Sequence, residues 1–307
     1  MSIDKPERDG GRHDPAQSGL VVVDKPSGVT SHDVVAQVRR LAGTRKVGHA
    51  GTLDPMGTGV LVLGVNRATR LLGHLLLTDK MYDATIRLGS STTTDDAQGE
   101  VVTTGSTDGL TEEAVLTALG AFVGKIDQVP STVSAIKVGG RRAHERVRAG
   151  EEFELESRSI RVDSIEVHEF RDAETGIDVD VSVRCSSGTY IRSIARDLGA
   201  RLQTGGHLTA LRRTAVGPFA IDVARTLEQL SEELVVLPIA DAARAAFPAY
   251  ELDEAQAVDV RFGRKLPLDL GRAGPFAVFA PDGEFLALYE RAEESEDLLA
   301  RAVAVFV

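Results

Sequence analysis

Lys46-Val47-Gly48-His49-Ala50-Gly51-Thr52-Leu53-Asp54-Pro55-Met56-Gly57-Thr58-Gly59-Val60-Leu61-Val62-Leu63-Gly64 is the stretch from which the rest of the chain is read. It sets one acid, Asp54, in a loop made almost wholly of small residues. Glycine at 48, 51, 57 and 59 removes the Cβ atoms that would hold another molecule's backbone at a distance. Pro55 fixes φ directly after the acid and biases Asp54 away from the helical region. Residues 60–63 are a continuous apolar run, the pattern of a strand buried on both faces. A carboxylate is thus presented on a constrained loop anchored by a core strand, as a catalytic group would be. An Asp-Pro turn ahead of a strand has the same local sequence, so spacing alone leaves both readings open.

Working outward, 307 residues suffice for one large domain, or a large one with a small companion. The chain is 42% hydrophobic and 26% charged, an ordinary globular composition with no apolar run long enough to span a bilayer. The start of the sequence lacks the apolar core of a signal peptide. The lone cysteine, Cys185, alternates with Ile177, Val179, Val181 and Val183 and reads as a core thiol, which suits a cytoplasmic address. A net charge of −11 argues against nonspecific nucleic-acid binding by the whole surface, yet the signs are unevenly placed. Arg39, Arg40, Arg45 and Lys46 form one basic group. Lys137, Arg141, Arg142, Arg146 and Arg148 form a second, and Arg184, Arg192, Arg196, Arg201, Arg212 and Arg213 a third. A positive face on an acidic protein is expected, with phosphates as its partner.

In chain order, residues 1–17 are polar and read as a disordered tail. A short β-branched strand at 20–23 leads into the turn Asp24-Lys25-Pro26-Ser27-Gly28. Thr30 or Ser31 can cap a helix whose stripe is Val34, Val35, Val38 and Leu41. Asn66 can cap a short helix ending near His74. Residues 82–88 alternate, which points Tyr82 inward with Ala84, Ile86 and Leu88. Residues 90–99 read as a polar loop, and Thr111 can cap a helix burying Ala114, Val115, Ala118, Leu119 and Phe122. The segment 125–150 is an excursion with too little apolar content for a core, with a helical stretch expected over 141–148. Strands are expected at Phe153, around Ile160 and Ile165, and at 177–185, followed by a helix from about Tyr190. Gly205-Gly206 precedes a short segment with Leu208, Leu211, Arg212 and Arg213, and residues 226–234 read as helical. From Phe247 on, a short helix, two strands joined at Pro281-Asp282-Gly283 and a terminal strand make a small, mostly β unit.

The seven histidines show no metal-binding spacing, and no P-loop, dinucleotide fingerprint or G-x-S-x-G elbow occurs. What remains is Asp54 among glycines, His49 ahead of it, inward Tyr82, and Arg192 beside Tyr190. An aspartate can act as a nucleophile, and aromatic faces with cations grip an unstacked base. Spacing alone does not select the reaction.

The run Gly48-His49-Ala50-Gly51-Thr52-Leu53-Asp54-Pro55 resembles the signature of the TruB family of tRNA pseudouridine synthases. The likeness extends to Asp24-Lys25-Pro26-Ser27-Gly28 with Ser31-His32-Asp33, to Lys80-Met81-Tyr82, and to Ser134-Ala135-Ile136-Lys137. It continues at Ser187-Gly188-Thr189-Tyr190-Ile191-Arg192 and Leu211-Arg212-Arg213, all in the family's order. The resemblance implies an α+β pseudouridine synthase fold: a central mixed, mostly antiparallel sheet flanked by helices, with a small, mostly β, PUA-like C-terminal domain. The catalytic domain would be 18–246, with a thumb insertion at 125–150, and the C-terminal domain 247–307.

The activity implied is isomerisation of uridine-55 in the tRNA T loop to pseudouridine, with no cofactor, no metal and no obligatory protein partner, by a monomer. Asp54 would be the nucleophile, paired with Arg192, which would hold it charged. Tyr82 would stack on the flipped uracil, and its hydroxyl is a candidate for the later proton removal. Tyr190 and Leu211 would line the base pocket, His49 would fill the space vacated in the RNA loop, and Lys25 would support the active-site loop. Lys137, Arg141, Arg142 and Arg146 would meet the RNA backbone from the thumb. One departure from the family is His144-Glu145 where Tyr-Glu is common. Three rivals stand beside this reading. A guide-RNA-dependent relative would lack the thumb, a tRNA-folding factor would bind without chemistry, and a metal hydrolase would use His49 and Asp54.

Overall fold

The computed structural model describes residues 18–134, 137–138, 140–142, 146, 151, 153, 155–271, 274–292 and 299–307, so the expected tail at 1–17 and His144-Glu145 lie outside it. The elements are β1 (Gly19–Lys25), α1 (Ser31–Leu41), β2 (Val47–His49), β3 (Thr58–Val65), α2 (Leu72–Leu75), β4 (Lys80–Leu88), β5 (Ser90–Thr92), β6 (Val101–Thr104), α3 (Glu112–Gly120) and β7 (Gly124–Gln128). Next come β8 (Lys137–Val138), β9 (Arg141–Arg142), β10 (Arg158–Ala173), β11 (Gly176–Cys185), α4 (Ile191–Arg201), β12 (Gly206–Val216), β13 (Phe219–Ala220), α5 (Leu227–Glu232), β14 (Leu237–Pro238) and α6 (Ile239–Ala246). The chain closes with β15 (Ala249–Glu251), α7 (Glu254–Arg261), β16 (Leu266–Pro267), β17 (Phe276–Phe279), β18 (Phe285–Arg291) and β19 (Leu299–Val305).

A ten-stranded sheet runs β14-β1-β3-β12-β4-β11-β10-β7, with β2 on β3 and β13 on β12. Its pairs are antiparallel except β12 with β3, which meet in parallel at Arg212–Thr58 and Arg213–Gly59. The fold is therefore the expected α+β arrangement around a mixed, mostly antiparallel sheet. β4 shows the alternation at work: Tyr82, Ala84, Ile86 and Leu88 are buried, while Met81 and Asp83 face out. The inner face packs on α4 through Ile191, Ile194, Ala195 and Leu198. Thr30 caps α1 in a full capping box with Asp33, and the helix buries Val34, Val35 and Val38. Thr111 caps α3, which buries Val115, Ala118 and Leu119 but leaves Ala114 exposed.

The last five strands form a separate sheet, ordered β15-β17-β18-β19-β16. Its Phe279, Phe285, Leu288 and Phe306 join one apolar cluster with Leu20, Val22, Leu71 and Leu72 of the large sheet's side. Arg67 and Arg70 add hydrogen bonds to the carbonyl oxygens of Phe306 (2.8 Å) and Val305 (2.7 Å).

Several expectations are corrected. Residues 66–70 are a 3-10 turn that Asn66 does not cap; at φ 54° Asn66 sits in the left-handed region that asparagine tolerates, and its Oδ1 accepts from Thr44 Oγ1 at 2.9 Å. The loop at 90–99 contains β5, paired with β6. Arg141 and Arg142 lie in a strand, not at the start of a helix. Lys137 pairs with Arg142 and Val138 with Arg141, across a tight turn in which Gly140 takes φ +85°. Phe153 is outside any strand, and the strands expected near 160 and 165 are one sixteen-residue strand, β10. The third basic group does not form one face. Arg192 and Arg213 are buried, Arg196 pairs with Asp95 and Asp197, and Arg212 pairs with Asp24.

Candidate active site

Asp54 sits between β2 and β3, on a loop in which the carbonyl groups of residues 51–55 are all bound. Arg213 Nη2 donates to Gly51 O (3.3 Å) and Nη1 to Thr52 O (3.2 Å). The Ser31 hydroxyl donates to Leu53 O (3.0 Å) and accepts from Leu53 N (2.9 Å). Asp54 O accepts from Gly57 N at 3.0 Å, and Pro55 O from Gly28 N at 2.8 Å and Lys25 Nζ at 3.2 Å. No member of this set is the Asp54 carboxylate, so the loop is built without using its acid.

The protein's own packing also bears on these glycines. A Cβ on Gly51 would come within 3.3 Å of Leu76, one on Gly57 within 3.0 Å of Leu53, and one on Gly48 within 3.1 Å of Leu72. Gly59 is the strictest case: φ is +96°, and a Cβ would lie 2.2 Å from Arg213 O across the parallel pair. Gly59→Ala combines left-handed strain with a main-chain clash and should cost about 2–5 kcal/mol. A denaturant midpoint unchanged from wild type would refute this.

Arg192, in the first turn of α4, points its Nε at Asp54 Oδ2, 2.9 Å away; its side chain is 4% exposed against 34% for Asp54. Its other donors reach Thr94 O (2.9 Å), Ser131 Oγ (3.1 Å) and Val133 O (2.9 Å), and buried Asp96 stands 3.8 Å from Nε. The helix starts here because Tyr190 breaks to extended backbone at the N-cap; Gln128 then takes its N–H (2.9 Å) and donates to its carbonyl (3.1 Å). Asp54, Tyr82, Tyr190, Arg192 and Leu211 line one cleft of about 440 Å³, joined by Lys80, Arg213 and Arg158. Burial pushes both tyrosine hydroxyls above their usual pKa. The cleft thus sets a half-exposed carboxylate, clamped by a guanidinium, against two aromatic side chains and an aliphatic wall.

Lys25 lies beneath the cleft, fully buried, and donates to Pro26 O (2.9 Å), Val29 O (2.8 Å) and Pro55 O (3.2 Å). Burial lowers its pKa from 10.5 to about 8, against the raising effect of Asp54. The unfolded chain keeps this proton longer, so the folded state becomes relatively more stable as pH rises from about 8 towards 10.5. Loss of the proton weakens the hold on Pro55, so turnover should fall through about pH 8 with no fall in melting temperature. A pH–rate profile and thermal melts on wild type and Lys25→Met test this. A decline of the same size in Lys25→Met would refute it.

Of the remaining expected residues, His49 and Arg146 lie outside the lining of the cleft. His49, on β2, is half-buried outside its lining and meets His32 edge-on with ring centroids 5.7 Å apart. Burial, then His32, lowers its pKa. Arg146 pairs with Glu151 (2.8 Å) and lies 4.9 Å over the Phe153 ring. Lys137, Arg141 and Arg142 occupy the β8–β9 hairpin, and their side chains lie outside the described residues. Residues not anticipated include Arg213, Lys80, Ser31, Gln128, Thr94, Asp96 and Ser131. Two of them had a signal: Lys80 is in phase with inward Tyr82, and Arg213 with inward Leu211 and Ala215.

The chain matches the family described as TruB family pseudouridylate synthase (N terminal domain) over residues 39–191. It also matches the tRNA pseudouridylate synthase B C-terminal domain over 192–244 and tRNA Pseudouridine synthase II, C terminal, over 247–307. It is 59% identical over 281 residues to the tRNA pseudouridine synthase B of Arthrobacter sp. (strain FB24), covering 88% of this chain and 92% of that one. Identity to the tRNA pseudouridine synthase B of Streptomyces griseus is 56% over 293 residues, covering 94% and 97%. Among solved structures, a Cbf5-Nop10-Gar1 complex contains a similar chain, with a TM-score of 0.72 and 27% identity over 95% of this chain and 85% of that one.

Proposed function

The chain belongs to the TruB family of tRNA pseudouridine synthases, and on that footing we propose that it isomerises uridine-55 of the tRNA T loop to pseudouridine, using Asp54 as nucleophile and no cofactor. One observation carries the reading: the Asp54–Arg192 pair at 2.9 Å, in a cleft walled by Tyr82, Tyr190 and Leu211. A uridine turned out of the T loop enters the cleft, stacks on Tyr82 and lies against Leu211 and Tyr190, which offsets the cost of unstacking it. Asp54 drives cleavage of the bond between ribose C1′ and N1. The detached base turns, C5 bonds to C1′, the C5 proton leaves and N1 takes one up. Nothing is gained or lost, so the isomerisation needs no co-reactant. Arg192 fixes the carboxylate, Lys25 holds the loop from below, and Tyr82 receives the C5 proton. His49 and the cations Lys137, Arg141, Arg142 and Arg146 act on the RNA outside the cleft.

The fold is shared with the Cbf5 chain of a multiprotein complex, which keeps a partner-dependent reading in view. One experiment separates the two readings: incubation of the purified protein alone with a T-arm stem-loop, then mapping of pseudouridine. Modification confined to position 55 is expected. No modification, or modification elsewhere, would overturn the proposal.

A further inference from the structure

Arg213 is the largest fully buried side chain among the described residues, at 1% exposure. Burying a guanidinium is strongly unfavourable unless its charge is met. Here the donors go to main-chain oxygens: Nε to Val60 (2.7 Å), Nη1 to Thr52 (3.2 Å) and Nη2 to Gly51 (3.3 Å). Among the described residues no acid forms an ion pair with it, whereas its neighbour Arg212 pairs with Asp24 at 2.8 Å. On the adjoining strand Arg213 stands directly opposite Tyr82 and shares the lining of the cleft with it. A second buried cation, Lys80, donates to Leu76 O and Thr78 O at 2.6 Å each and lies two residues before Tyr82.

An unpaired charge kept at the floor of a reaction cleft has value if negative charge develops there during the reaction. We propose that Arg213 is a positioning residue with two tasks. Through Gly51 and Thr52 it fixes the backbone of the Asp54 loop, and through its unpaired charge it orients the Tyr82 oxygen and stabilises it as the C5 proton is removed. In that step Tyr82 passes its own proton to solvent and takes the proton from C5. The C5–H electron pair closes the ring double bond, and N1 takes a proton from solvent, so atoms and charge balance. Tyr82 shares the cleft lining with Arg213 from β12, Asp54 from its loop and Lys80 from β4 itself, and Cys185 from β11 belongs to the same packed cluster. The inference rests on Asp54 and Tyr82 having the roles proposed for them.

The two tasks separate by substitution. Arg213→Lys keeps the charge but cannot span the carbonyl groups; Arg213→Gln removes the charge. Single-turnover rates on a T-arm stem-loop carrying uridine or 5-deuterouridine are read beside ultraviolet titration of phenolate. Tyr82→Phe serves to subtract the other three of the four tyrosines. Both variants should be slower by about 10²-fold through displacement of the loop. In Arg213→Gln alone, the Tyr82 ionisation should move to higher pH and a deuterium isotope effect should emerge. The Arg213→Gln, Tyr82→Phe double variant should lose less than the product of the two single losses, because only the loop-holding part of the Arg213 effect is independent of Tyr82. Fully additive losses, or an unmoved Tyr82 titration in a folded Arg213→Gln protein, would overturn the inference. If Arg213→Gln does not fold, Arg213→Lys decides: a rate equal to wild type overturns the loop-holding task. A wild-type protein that makes no pseudouridine would instead remove the reading on which the inference rests.

Discussion

Asp54→Asn is expected to fold, to bind tRNA and to form no pseudouridine. The hydrogen bonds that shape its loop run through the carbonyl groups of residues 51–55 and never through the carboxylate, which is 34% exposed. An amide has nearly the same shape and still offers an oxygen to Arg192 Nε. What it lacks is nucleophilic character, and removal of an attacking group lowers turnover on the order of 10⁴-fold or more. Thermal melting and filter binding should match wild type while single-turnover formation of pseudouridine vanishes. Normal turnover would end the mechanism.

Arg192→Met carries the second large effect, and it falls on rate and stability together. The guanidinium serves Asp54, Thr94 O, Ser131 Oγ and Val133 O at 2.9–3.1 Å, with buried Asp96 3.8 Å away. Removing the cation leaves two carboxylates near each other in a poorly solvated site, and loss of one partner of a buried pair costs about 3–5 kcal/mol. The fixed donor beside Asp54 is lost as well, and removing such a donor lowers turnover about 10²–10³-fold. Arg192→Lys should recover part of the stability and little of the rate, because one ammonium cannot reach acceptors spread on several sides. Denaturant titration alongside single-turnover kinetics checks both parts. A Met variant of wild-type stability would show that the contacts of Arg192 contribute nothing to the fold.

The sequence was most informative where a period of two or 3.6 is set by burial on one face. The alternation through Tyr82, Ala84, Ile86 and Leu88 and the stripe of Ile191, Ile194, Ala195 and Leu198 both appear in the structure as read. The cleft residues Asp54, Tyr82, Tyr190, Arg192 and Leu211 were nameable because their motifs are local. Charge misled the reading. Arg212 and Arg213 are identical neighbours in sequence, yet one forms an ion pair with Asp24 and the other is sealed under the Asp54 loop. That difference depends on β12 lying beside β3 in parallel, a pairing of residues more than 150 positions apart that leaves no local trace. Thr94, Asp96 and Ser131 were missed for the same reason: they meet Arg192 only once α4, the loop after β5 and the segment after β7 converge.

The shared cluster of Leu20, Val22, Phe279, Phe285 and Phe306 sets an order of events during synthesis. β1 leaves the ribosome well before Phe279, Phe285 and Phe306, which are part of the apolar surface that covers it. The same strand also pairs with β14 at residues 237 and 238. Translation proceeds at roughly 5–20 residues per second, so that face waits many seconds for its cover. The nascent chain therefore carries that apolar face of β1 uncovered until the strands of the second sheet have been made.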